Sequence, residues 1–257
     1  MRRIHLFEFE DQEWFPGFLR DYMTDFLQFL SNKAKVYKPI IPLLAEKIRK
    51  SGENEVLDLA SGGGGGLLWL NEELKKEIPD LKITLTDYYP NLSAFEQTKK
   101  VADNFYSVDY PVDARKVPDH LNGFRTQFLS FHHFKPDDAR QILANAVESN
   151  SCIAVFEAQG RNVPSVLAML FSPLSVLFTT PFIRPFKWGR ILFTYLIPVV
   201  PLCVLWDGVV SSFRTYSVKE MQEMVSEVDP TNQYNWDIGM IRKGGGLFYL
   251  IGLPKNK

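Results

Sequence analysis

Residues 55–66 read EVLDLASGGGGG, and this stretch decides the fold. Val56, Leu57, Leu59 and Ala60 make a short apolar run bounded by turn residues, the mark of a buried strand. Five consecutive glycines, Gly62 to Gly66, follow it, and Leu67 to Lys76 then reads as a helix. A flexible linker would not sit between a buried strand and an apolar-periodic helix. A glycine-rich turn in that position lets a ligand approach the backbone closely, and the helix start offers unpaired N–H groups. The dinucleotide fingerprint G-x-G-x-x-G fails, because the sixth position from Gly62 is Leu67, and no Lys-Ser or Lys-Thr pair completes a phosphate loop. Asp58 lies inside the apolar run. Burying it without a partner is costly, so a polar ligand or backbone amides are expected to meet it.

Outward from this stretch the chain alternates. Lys82–Thr86 is a second strand ending at Asp87, Asn91–Ala102 a helix and Phe105–Val108 a third strand. Phe124–Phe131 is a fourth strand, Pro136–Glu148 a helix and Ser151–Phe156 a fifth strand. Strands alternating with helices imply a parallel sheet covered on both faces. Upstream, apolar spacing predicts a helix over Pro16–Leu30 and another from Pro39 to Lys50, stopped by residues 51–54. Downstream, Ser217 and Glu220 form a capping box that starts a helix to Glu227. Tyr234–Ile241 and Leu247–Leu253 are closing strands, with Gly244–Gly246 as their hairpin turn.

The chain has 257 residues and a net charge of −1, so no basic excess drives nucleic-acid binding. Two cysteines, Cys152 and Cys203, lack C-x-x-C spacing, which excludes a cysteine metal cage. No resident metal is expected. Acidic residues follow Arg2-Arg3 at once and no apolar signal segment appears, so a cytoplasmic start is expected. Aromatic residues reach 14 %, with 20 Phe, which points to apolar material being handled.

Asp58, Ala60, Gly62 and Gly64 resemble the first motif of class I S-adenosylmethionine-dependent methyltransferases, with Ala60 where the family usually has glycine. The resemblance implies that Asp87, followed by Tyr88, takes ribose hydroxyls. It implies that Asp113 reaches the adenine amino group, and that the Ala114 N–H faces the ring. It places Ser130, His132 and His133 in the motif after strand four. It covers about residues 38–160 and 214–257. The segments LFEF, FHHF and LWDGVVSSFRTYS, with the proline-dotted run between residues 182 and 202, look like a bacterial subgroup of such proteins. The resemblance therefore implies a cofactor, S-adenosyl-L-methionine, and leaves the substrate open. The fold it implies is α/β: a Rossmann-like, seven-stranded, mostly parallel sheet ending in an antiparallel hairpin, as one domain over residues 1–257. A helical cap is expected from residues 1–37 and an insertion at 161–213.

That insertion is ambiguous. Residues 163–183 carry no formal charge, and neither do 191–206; Arg184, Lys187 and Arg190 lie between. Length alone would allow a membrane span, but Pro164, Pro173, Pro181, Pro198 and Pro201 interrupt it. A soluble lid, an interfacial hairpin and a membrane span remain open readings. The lid reading has Phe171, Phe178, Phe182, Phe186, Phe193 and Trp206 walling an acceptor pocket. The three cations form a basic cluster for peripheral contact with a membrane's inner face. The expected activity is methyl transfer to a hydrophobic small-molecule or lipid-like acceptor, with His132, His133 and Glu157 as candidate bases. The alternative is a non-catalytic, membrane-associated binding protein that retains the cofactor fold. A nicotinamide oxidoreductase is disfavoured by the glycine spacing.

Overall fold

The computed structural model describes residues 1–242 and 246–256. Seven strands form one sheet in the order β3-β2-β1-β4-β5-β7-β6. They are β1 (Glu55–Asp58), β2 (Lys82–Leu85), β3 (Phe105–Ser107), β4 (Phe124–Phe128), β5 (Ile153–Glu157), β6 (Tyr234–Ile241) and β7 (Leu247–Pro254). The first five run parallel, and β7 pairs antiparallel with both β5 and β6. Gly244 and Gly245 of the expected hairpin turn lie outside the described residues; Gly246 has φ +88°.

Helices α2 (Ile41–Ser51), α3 (Leu68–Glu77) and α4 (Leu92–Val101) cover one face, burying Leu44, Ile48, Leu70, Leu74 and Phe95 against Val56, Ile83 and Phe124. Helices α5 (Pro136–Glu148) and α10 (Val218–Val228) cover the other, burying Ile142, Leu143, Met221 and Met224 against Leu57 and Val155. Each large apolar side chain so buried contributes roughly 1.5–3 kcal/mol. The capping box of α10 forms as read: the Ser217 hydroxyl accepts the Glu220 N–H, and the Glu220 carboxylate accepts the Ser217 N–H. The fourth strand is shorter than expected. Leu129 turns left-handed at φ +52°, and Phe131–His133 close a single 3₁₀ turn.

A third apolar cluster belongs to the cap. Helix α1 (Gly17–Lys33) packs Leu19, Met23 and Phe26 against Val176 of α7 (Ser172–Thr179) and Val200, Cys203 and Val204 of α9 (Val199–Arg214). Helices α6 (Val163–Leu170) and α8 (Trp188–Ile191) complete it. Prolines start these short helices: Pro164 opens α6 and Pro173 opens α7. Residues 1–16 are not helical, contrary to the expected all-helical cap; they run as a strap. Arg3 anchors it by donating to the carbonyls of Arg214 and Phe134. Among the described residues no single helix is long and apolar enough to cross a membrane.

Two expectations about the insertion are corrected. Phe171, Phe178, Phe182, Phe186 and Trp206 are exposed, and none of them lines the cavity described below. A uniformly apolar segment has no polar face to mark its outside, so the sequence could not orient it. The basic cluster is not a free patch either. Arg190 is buried, and with Lys187 it pairs with Asp25 of α1, at 2.9 and 2.7 Å.

Candidate functional site

The glycine turn lies at the C-terminal edge of the sheet, where open α/β sheets bind ligands. Ala60, Gly62 and Gly64 have φ of +54°, +57° and +70°, in the region that favours glycine. Ala60 thus holds a left-handed conformation that glycine would adopt more readily. Asp87, beyond β2, closes the turn: Oδ2 accepts the Gly62 N–H and Oδ1 the Tyr89 N–H, both at 2.8 Å. Each oxygen keeps a lone pair. Burial raises the Asp87 pKa despite these amides. Tyr88 is exposed beside it.

Asp58 is buried, and burial pushes its carboxyl up to about 7. The Thr126 hydroxyl of β4 meets it at 2.8 Å, and the Ser61 hydroxyl also favours its ionised form. The loop of Asp113 is tied to the same edge by the Val112 N–H, which donates to the Asp87 carbonyl at 2.9 Å. Both Asp113 oxygens are engaged by Arg115, which also pairs with Asp138 at 2.8 Å. Ala114 is buried. Ser130 is buried at the end of β4, and its hydroxyl has no partner. No sequence signal shows that α1 covers the glycine turn. There Asn32 donates to the Gly65 carbonyl at 2.7 Å and accepts from the Trp69 N–H at 2.8 Å.

His132 and Glu157 come together as a buried pair. The Glu157 carboxylate accepts the His132 N–H and meets its Nδ1, each at 2.9 Å, and Gln159 donates to it at 3.1 Å. His133 takes a different set. Its Nδ1 lies 2.7 Å from Asp11 and 3.1 Å from Glu8, both on the strap. Burial alone would lower the His133 pKa, but Glu8 and Asp11 outweigh it and hold it up at about 10. The sequence showed no third group near the two histidines. The structure brings in Glu8, with ligand-capable atoms of Glu8, His132 and His133 within 4.8 Å of one another. Arg214, 3.3 Å from Glu8 and 2.6 Å from Asp11, already neutralises these acids.

A cavity of about 940 Å³ opens beside the pair. Met23, Phe26, Leu30, Met169 and Val204 give it apolar walls, and Glu10, Asp207, His132 and His133 a polar end. Burial, with repulsion from Asp207, pushes Glu10 up to about 8; burial, with repulsion from Glu8, pushes Asp207 up to about 7. Asp207 accepts the N–H groups of Phe9 and Glu10, at 2.8 and 3.2 Å. One Glu10 oxygen is buried without a partner.

No protein-family model matches the sequence, and no curated protein matches it. Solved structures do match the fold. The plantazolicin methyltransferase BpumL in complex with SAH is 15% identical, with a TM-score of 0.54 over 93% of this chain and 88% of that one. PigF with SAH is 16% identical, with a TM-score of 0.53 over 93% of this chain and 62% of that one. An O-methyltransferase family protein from Burkholderia thailandensis aligns with 86% of this chain at 13% identity and a TM-score of 0.46; the chain spans 57% of its length. The sheet order, the antiparallel end pair and the superpositions on BpumL and PigF agree: the chain has the Rossmann-like methyltransferase fold.

Proposed function

We propose that the protein transfers a methyl group from S-adenosyl-L-methionine to a hydrophobic small-molecule or lipid-like acceptor. The observation that carries this reading is the buried His132–Glu157 pair at the wall of a largely apolar cavity, on the sheet edge that also holds the glycine turn. The cofactor fits the residues present. Ala60, Gly62 and Gly64 hold the left-handed turn at the strand end, and the buried Ser130 hydroxyl lacks a partner. Asp58, Ala60, Gly62 and Gly64 would hold the methionine end, Asp87 with Tyr88 the ribose, and Asp113, Ala114 and Ser130 the adenine side. Asp113 must share its oxygens with Arg115, so Ala114 carries more of that contact. When bound, this cofactor supplies a methyl group that is already electrophilic.

The chain's own work is alignment, exclusion of water and proton removal. Glu157 fixes the His132 ring through Nδ1, which leaves Nε2 to accept a proton from an acceptor hydroxyl. His133, held charged by Glu8 and Asp11, is the weaker candidate base. The apolar walls favour an acceptor with little charge.

The test is incubation with labelled methyl donor and a cell extract split into lipid and aqueous fractions. Label in the lipid fraction, absent with His132→Asn, is expected. Label confined to the aqueous fraction would overturn the acceptor class, and no label anywhere would overturn methyl transfer.

A further inference from the structure

We propose that the tip of the cap, residues 177–197, docks on a lipid bilayer by inserting apolar side chains. The inference does not depend on the methyl donor. The tip is a single built unit. The Tyr195 hydroxyl donates to the Leu177 carbonyl, Thr180 meets Thr194 at 3.5 Å, and the buried Arg190 donates to the carbonyls of Ile183 and Pro185 at 3.1 and 2.9 Å. Arg190 and Lys187 then tie it to Asp25 on α1. So stapled, it displays Phe178, Phe182, Trp188 and Leu196 at 74%, 66%, 79% and 77% exposure. Phe186 and Tyr195 beside them are also exposed. A soluble surface scatters such residues singly, and their clustering marks an interaction site.

Three observations select a bilayer over a second copy or another protein. Trp188 and Leu196, exposed over three-quarters of their surface, and Phe178 and Phe182, over three-fifths, protrude; fluid acyl chains accept such knobs, whereas a protein face needs matching pockets. Charge agrees, because residues 163–206 contain no Asp or Glu, and exposed Arg184 sits at the tip. Lys35 and Lys38, also exposed, stand at the cavity lining shared with α6 and α7. Anionic headgroups meet such cations favourably. Shape agrees too. The pairs 163–170 with 172–182 and 188–196 with 199–214 have the apolar length of spans, yet bend by 42° and 77°. Helices so bent suit the interface plane, with apolar faces dipping toward the acyl chains. The inner faces of α6, α7 and α9 line the cavity.

The structure also sets the kind of binding. Lys187 and Arg190 are spent on Asp25, so insertion rather than electrostatics holds the protein. The test is flotation with phosphatidylcholine vesicles, with and without phosphatidylserine, at low and high salt. The wild type should float with neutral vesicles at both salts, and phosphatidylserine should add a salt-sensitive increment. The variant Phe178→Ser/Trp188→Ser/Leu196→Ser should bind about a hundredfold more weakly while keeping the wild-type circular dichroism and melting temperature. No flotation of the wild type would overturn the proposal. So would binding only to anionic vesicles that salt removes, undiminished flotation of the variant, or a dimer that the same variant dissolves.

Discussion

Glu157, the last residue of β5, grips His132 of the turn after β4 at two points, the backbone N–H and Nδ1, each at 2.9 Å. The parallel pairing of β4 with β5 brings these strand ends side by side. A single carboxylate thereby fixes both the ring and the backbone that carries it.

Replacing His132 by Asn should lower methyl transfer by about a hundredfold or more, the usual contribution of a positioned base. The affinity for S-adenosylhomocysteine should stay within about threefold, since this side chain is assigned to the acceptor. Glu157→Gln should be affected in the same sense, because the ring loses its anionic partner. Single-turnover assays beside calorimetry separate the two effects, and equal loss of binding and turnover would count against the assignment.

Asp87→Ala should weaken S-adenosylhomocysteine binding by about tenfold or more, the worth of a hydrogen bond to a charged group. The same change frees the Gly62 N–H that Asp87 now caps. Asp87→Asn keeps an acceptor in place and should recover part of the affinity. Unchanged calorimetric affinity in folded Asp87→Ala would remove Asp87 from the cofactor site.

Stability should fall as pH rises through neutrality. Glu10 is pushed from 4.5 up to about 8, Asp58 and Asp207 from 3.8 up to about 7, and His133 from 6.5 up to about 10. In each case the folded chain holds its proton more tightly than the unfolded chain. The favourable contribution is complete below the unfolded pKa and is lost as pH passes the folded one. Glu10→Gln should therefore flatten the fall and stabilise the protein at pH 9 relative to the wild type. Denaturant unfolding from pH 5 to pH 9 checks this, and an unchanged slope in Glu10→Gln would refute it.

Arg190→Met should cost about 2–3 kcal/mol, since it strips a buried partner from Asp25 and two carbonyls. Lys187→Met, on the same Asp25 but partly exposed, should cost less than about 1 kcal/mol. Equal losses in urea titrations would mean that Arg190 is not the staple of the tip.

The sheet was legible because its signals are local. Glu55–Asp58 is bounded by turn residues, Pro136 opens α5, and Ser217 with Glu220 announces α10. The turn at Gly62 and the placing of Asp87 beyond β2 followed from the alternation of strands and helices. The other half of the site depends on partners far apart in the chain. Asp11 and Arg214 are 203 residues apart, and so are too remote for any periodicity to reveal. The same holds for Asp25 with Arg190, and for Asn32 with the glycine turn. The end of β4 was missed because Leu129, at φ +52°, is not a residue type that signals a left-handed turn.

The central claim is tested most directly by calorimetric titration of the purified chain with S-adenosylhomocysteine, with NAD as the comparison. Saturable binding of one S-adenosylhomocysteine per chain is predicted, lost in Gly62→Val, where a β-branched residue would have to adopt φ near +57°. NAD should give no heat. A chain that binds NAD and ignores S-adenosylhomocysteine would contradict the account.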